Sequence, residues 1–162
     1  MPKLKPLQQW YCDTCDELIQ KPEDGWVEWI RQNNRVQDFR ICHHVIASPR
    51  QHSEEGCYAH GDKRGEASHH LKVFLGADGM ISLLSDVHVG PWLDPQGKAT
   101  SGLGDAASWA ETFRRLHVPY YEEARRYFAR ARAGGYSDDD NEIRPFLESS
   151  LLDIIQEYGD DE

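Results

Sequence analysis

The feature that most narrows how this chain can fold is a pair of cysteines two residues apart, Cys12-Asp13-Thr14-Cys15, in a segment with few aliphatic side chains. A two-residue gap lets both thiolates reach one tetrahedral ion while backbone amides of the turn stabilise the sulfur charge. A dithiol redox pair belongs at a helix start after a buried strand. Here Asp16 and Glu17 follow the pair, and their charges raise thiol pKa values rather than lower them. The opening Met1-Pro2-Lys3-Leu4-Lys5-Pro6 has no apolar stretch of secretory type, so a cytoplasmic location with reduced thiols is expected. Zinc is the expected cofactor, and two free thiols in a turn are the plain alternative.

A closed site needs two further ligands, and Cys42, His43, His44, Cys57 and His60 supply the candidates. In one arrangement His43 and Cys57 complete the set. In the other, Cys57-x2-His60 forms a second knuckle by itself. Strand alternation over Asp38–His43 puts Phe39, Ile41 and His43 on one face and Arg40, Cys42 and His44 on the other. An imidazole beside Phe39 and Ile41 needs a partner, and zinc provides one, which favours His43. Cys57 would then tether the polar stretch 46–67, and Cys42 would be a small buried hydrophobe. The expected ligands are Cys12, Cys15, His43 and Cys57, a set with no position open for water and therefore structural.

Residues 10–60 resemble the zinc-ribbon and zinc-knuckle families, in which a Cys-x-x-Cys on one hairpin faces a second ligand pair on another. Cys12 and Cys15 match the first knuckle. The second pair departs from the usual Cys-x-x-Cys spacing.

The rest of the chain reads as strands, then helices. Trp10–Cys12, Leu18-Ile19, Trp26–Ile30 and Asp38–His43 have strand composition, with turns at Pro22-Glu23-Asp24-Gly25 and Asn33-Asn34. Two short helices are expected at Leu71–Leu75, capped by Ser68, and at Met80–Leu84, capped by Asp78 after a Gly76 break. The Gly- and Pro-rich 86–104 reads as a loop. Asp105 caps a helix bearing Trp109, Phe113 and Leu116; Pro119 opens another that Gly134-Gly135 ends; a third runs from Pro145 to Gly159. The expected class is α+β, with a β-rich zinc-knuckle segment over 1–67 and a helical segment over 68–162 forming one unit.

Net charge is −10 and unevenly spread: residues 1–50 are neutral, 51–104 carry −3 and 105–162 carry −7. The excess gathers in Asp138-Asp139-Asp140-Asn141-Glu142 and Asp160-Asp161-Glu162. An acidic chain without a recognisable catalytic set, with aromatics on loops at Trp92 and Tyr136, suggests a non-enzymatic interaction or regulatory module with a protein partner. The alternative is a nucleic-acid-binding zinc protein using Arg125, Arg126, Arg130 and Arg132 of the helix 120–132, against which the local charge counts. That helix also reads as a salt-bridged surface, with Glu122, Arg126 and Arg130 at successive i+4 steps. A metal-dependent hydrolase ranks third: Asp86-Val87-His88 resembles the opening motif of calcineurin-like metallophosphatases, but none of that family's later ligand segments follows.

Overall fold

The computed structural model describes residues 1–50, 56–58, 66–136 and 142–159. Strands come first and helices after, in an α+β arrangement. A short hairpin pairs β1 (Trp10–Tyr11) with β2 (Leu18–Ile19), and the Cys12–Cys15 turn lies at its tip. A three-stranded antiparallel sheet follows, with β3 (Gly25–Gln32) in the middle, β4 (Arg35–His43) on one side and β5 (Glu66–His70) on the other. Asn33 and Asn34 both have positive φ, 52° and 60°, the signature of the tight primed turn that suits the right-handed twist of a hairpin. A bulge sets Asp38 and Phe39 of β4 opposite Trp29 alone, and Asp38 takes the left-handed conformation, φ 54°, that aspartate tolerates.

β5 replaces the helix start expected at Ser68. Glu-Ala-Ser-His-His has no aliphatic alternation to announce a strand, yet pairing with the central strand satisfies its backbone. The strand straddles residue 67, so the sheet draws on both sides of the expected boundary. A single 3-10 turn covers Leu71–Phe74, and α1 runs over Gly76–Val87, longer than expected and without a side-chain cap. Gly76, with φ 69°, starts this helix instead of breaking it. Loop 86–104 is clipped back onto β4: Val36 donates to Gly102 at 2.7 Å and accepts from Gly104 at 2.7 Å.

α2 (Ala106–His117) begins as its cap residue dictates, with Asp105 Oδ1 accepting from the amides of Ala107 at 3.0 Å and Ser108 at 3.2 Å. Its Trp109 indole donates to the Leu83 carbonyl, tying α2 to α1. The helix expected from Pro119 starts later, because Tyr120 is left-handed with φ 65°. α3 (Tyr121–Ala124) and α4 (Phe128–Ala133) are joined by a 3-10 turn, and α5 (Glu148–Tyr158) ends at Gly159. Two apolar cores result. One gathers Trp10, Val27, Ile41, Leu71, Leu83 and Leu116 between sheet, α1 and α2; the other joins α3, α4 and α5 through Tyr121, Ala124, Leu151 and Ile154.

One buried cation joins the two. Arg115 of α2, 3% exposed, donates from Nη1 to both carboxylate oxygens of Asp13 at 2.7 Å. It also donates from Nε to Glu122 at 2.6 Å and from Nη2 to the Tyr11 carbonyl at 2.7 Å. Burial alone would lower the guanidinium pKa, but Glu122 and Asp13 outweigh that and hold it above its ordinary value. Removing one partner of such a buried group leaves the others charged and unpaired. Arg115→Ala should therefore lower unfolding free energy in urea by about 3–5 kcal/mol. Arg126→Ala breaks an exposed pair with Asp16 and should cost under about 1 kcal/mol. Equal urea midpoints for the two variants would contradict this assignment.

Candidate metal centre

The Cys12–Cys15 turn is built against the margin of β4. The Asp13 amide donates to the Ile41 carbonyl at 2.8 Å, and the Ile41 amide donates back to Asp13 Oδ2 at 2.7 Å. Within the turn, Asp16 N–H reaches the Cys12 carbonyl at 2.9 Å and Cys12 N–H the Glu17 carbonyl at 3.0 Å. Asp16 closes it with φ 60°. The Thr14 amide points at Cys12 Sγ, 3.4 Å away, where it stabilises negative charge on sulfur. Fastening the turn at Ile41 sets both cysteines beside His43, two residues along the strand.

Cys57 arrives from the other direction. Gly56, with φ 57°, turns the chain so that a side chain there would press on Ser48, while Ser48 Oγ lies 3.0 Å from Cys57 Sγ. Thr14 Oγ1 donates to the Cys57 carbonyl, locking the third cysteine to the knuckle. The ligand atoms of Cys12, Cys15, His43 and Cys57 all lie within 4.8 Å of one another. His43 Nδ1 stands 3.5 Å from Cys15 Sγ and 3.9 Å from Cys57 Sγ. A tetrahedral zinc with ordinary bond lengths puts ligand atoms about 3.5–3.8 Å apart along its edges, so these separations suit one such ion. All four cysteines of the chain are reduced.

Protonation argues the same way. Burial, with the neighbouring Cys12 thiol, pushes Cys15 up to about 12 against a Glu17 backbone hydrogen bond, and burial also raises Cys57. Burial thus disfavours charge on the Cys15 and Cys57 sulfurs, whereas a thiol that coordinates a cation loses its proton outright. The expected set thus lies together, and it could bind a metal ion.

Other sequence candidates separate. Cys42 is fully buried, its thiol raised first by burial and then by Glu28, and it is no part of the cluster. His44 accepts from the Ile46 amide through Nδ1 and stacks on His70, ring centroids 5.1 Å apart. His60 and the acidic runs 138–140 and 160–162 lie outside the described residues. Asp86 is half-buried near the end of α1, its carboxyl raised by burial against Arg31, while His88 pairs with Asp94 at 3.1 Å. Among the described residues, the Cys3His cluster is the one grouping of three or more such ligand atoms.

The arginine helix departs from the expected i+4 ladder. Glu122 is buried and pairs with Arg115 and Arg125, and Arg126 reaches Asp16 and lies 4.0 Å over the Tyr11 ring. Arg130 donates to the Tyr158 carbonyl at 2.6 Å, leaving Arg132 exposed. Glu123 accepts from the amides of Lys3 and Leu4, so part of the negative charge of the last third is spent inside the protein. No sequence pattern announced these long-range roles. Trp92 is exposed as expected, whereas Tyr136 is half-buried against Tyr158. No described helix is long and apolar enough to cross a membrane.

No family model matches this chain, and no curated protein and no solved structure is detectably similar to it. What the fold and site define is an α+β chain with a Cys3His cluster that could hold a metal.

Titration with zinc discriminates the ligands. His43→Ala and Cys57→Ser should each weaken binding by more than about 100-fold, beyond the usual cost of outer-shell changes, while His44→Ala should leave it unchanged. Tight binding by the His43 variant would remove that residue from the set.

Proposed function

We propose that Cys12, Cys15, His43 and Cys57 hold one structural zinc ion in a non-enzymatic interaction or regulatory module, placed in the cytoplasm. The observation that carries the zinc reading is convergence: three thiols and an imidazole nitrogen from two hairpins and a loop meet within 4.8 Å. Zinc suits three soft thiolates and an imidazole, and four protein ligands leave no coordination position for water or substrate. The ion would be a folding element, because the two-stranded hairpin of β1 and β2 is too small to be stable by itself. Its binding free energy then adds to that of folding.

A module of this kind works through surfaces. The arginines of α4 and of the 3-10 turn before it largely meet carboxylates and carbonyls of their own chain, which favours a protein partner over nucleic acid. Exposed Trp92 and Leu93 offer apolar contact of the sort that protein interfaces use.

Elemental analysis of protein purified without added zinc should give close to one zinc per chain. Stripping the ion with a chelator, or Cys12→Ser, should lower the melting temperature sharply. A folded chain that holds no metal and melts unchanged with chelator would sink this reading.

A further inference from the structure

β5 is one margin of the larger sheet, and its register shows which groups it turns outward. Ile41 of β4 gives both its amide and its carbonyl to Asp13, away from β3. Val27 lies opposite Ile41, so alternation turns the Val27 amide and carbonyl toward β5, where His69 faces them. Ser68, opposite Glu28, and Glu66, opposite Ile30, therefore direct their own amides and carbonyls away from the sheet. Among the described residues nothing meets these outward groups. The outward amide of His70 has a stand-in for a strand partner: it donates to Nδ1 of the exposed His69 at 2.8 Å.

The side chains of this margin form a pattern. Glu66, Ser68 and His70 share one face of the sheet, with Glu66 exposed and the other two half-buried. The His70 ring is braced against Trp26, centroids 4.5 Å apart, and stacked on His44, so its position is fixed. Among the described residues, neither the Glu66 carboxylate nor the His70 imidazole has a hydrogen-bond or ion-pair partner. Neither lysine nor proline blunts the strand, Glu-Ala-Ser-His-His. A carboxylate at one end, an imidazole at the other and a serine midway make a strand that complements itself when reversed.

We propose that the partner is a second copy of this chain: two copies join β5 to β5, antiparallel about a two-fold axis at Ser68, so that each Glu66 faces His70 of the other copy. The two three-stranded sheets then run on as one. In this register each Ser68 exchanges a pair of hydrogen bonds with its counterpart, because both point outward. Glu66 and His70 of the other copy come to lie about 5.5 Å apart between Cα atoms, the spacing at which an imidazole N–H donates to a carboxylate across strands. His69, being exposed, releases the His70 amide to the Glu66 carbonyl of the other copy. Such an interface is isologous and closes at two. A strand of five residues buries less than about 1,200 Å² in all, and two chains of net charge −10 repel, so the dimer is weak and concentration-dependent.

The inference rests on the interaction-module reading but not on the metal, so both are measured on one sample. Sedimentation of the full chain from the micromolar into the millimolar range should show its mass rising from one chain to two. Ser68→Pro removes only an outward amide, which a margin strand tolerates, so the chain should fold while association weakens at least tenfold. Glu66→Lys, at an exposed site, should weaken it severalfold. In the wild type, hydrogen exchange at the Ser68 amide should slow as the dimer forms. A wild-type mass of one chain at every concentration overturns the proposal. So does a Ser68→Pro or Glu66→Lys variant that dimerises like the wild type, or a Ser68 amide that exchanges as fast in the dimer as in the monomer. A zinc-loaded monomer sinks self-pairing alone, and a metal-free dimer sinks the zinc reading alone.

Discussion

Arg115 is the interaction on which the rest of this structure depends. A guanidinium with 3% of its surface exposed is costly to bury unless every donor is met, and here Asp13, Glu122 and the Tyr11 carbonyl meet it. Asp13 is a residue of the Cys12–Cys15 turn, Glu122 belongs to α3, and Tyr11 ends β1 of the first hairpin. The Arg115 carbonyl also accepts from the Trp10 indole at 3.0 Å. One cation thus fixes where the knuckle, the hairpin and the helices sit relative to one another. The same Asp13 that pairs with Arg115 also receives the Ile41 amide, so helix docking and ligand placement share a single carboxylate.

That sharing is what a metal site needs from its scaffold. The Cys12–Cys15 turn contributes two ligands, a strand end the third and a returning loop the fourth, and each is fixed by hydrogen bonds of its own. Burial raises the Cys15 and Cys57 thiols, which argues against a nest of reactive thiolates at these two positions.

The Cys3His cluster was legible in the sequence because its clues are local: a two-residue cysteine gap, strand alternation that separates His43 from His44, and a cysteine in an otherwise polar loop. The Asn33-Asn34 turn and the Asp105 cap were legible for the same reason, since each residue type satisfies its own backbone. β5 was not, because a strand of Glu, Ala, Ser and two histidines is held by pairing with β3 and not by its own side-chain pattern. Nor were Glu122 and Glu123, which read as helix-surface acids. Their partners lie 111 residues away at Tyr11 and 120 away at Lys3, and no spacing rule reaches that far.

The outer side of β4 carries a further consequence. A strand at the margin of a sheet offers unpaired amides and carbonyls to any other extended chain. Here Val36 is taken by the loop at Gly102 and Gly104, Phe39 N–H by the Ser108 hydroxyl, and Ile41 by Asp13 of the knuckle. These three clasps leave little of the margin free for strand addition from outside. One of them is the cysteine turn itself, so the cluster that could hold a metal ion also guards a sheet edge. Anything that unfastens this turn from Ile41 exposes part of β4 as a template for strand addition and aggregation.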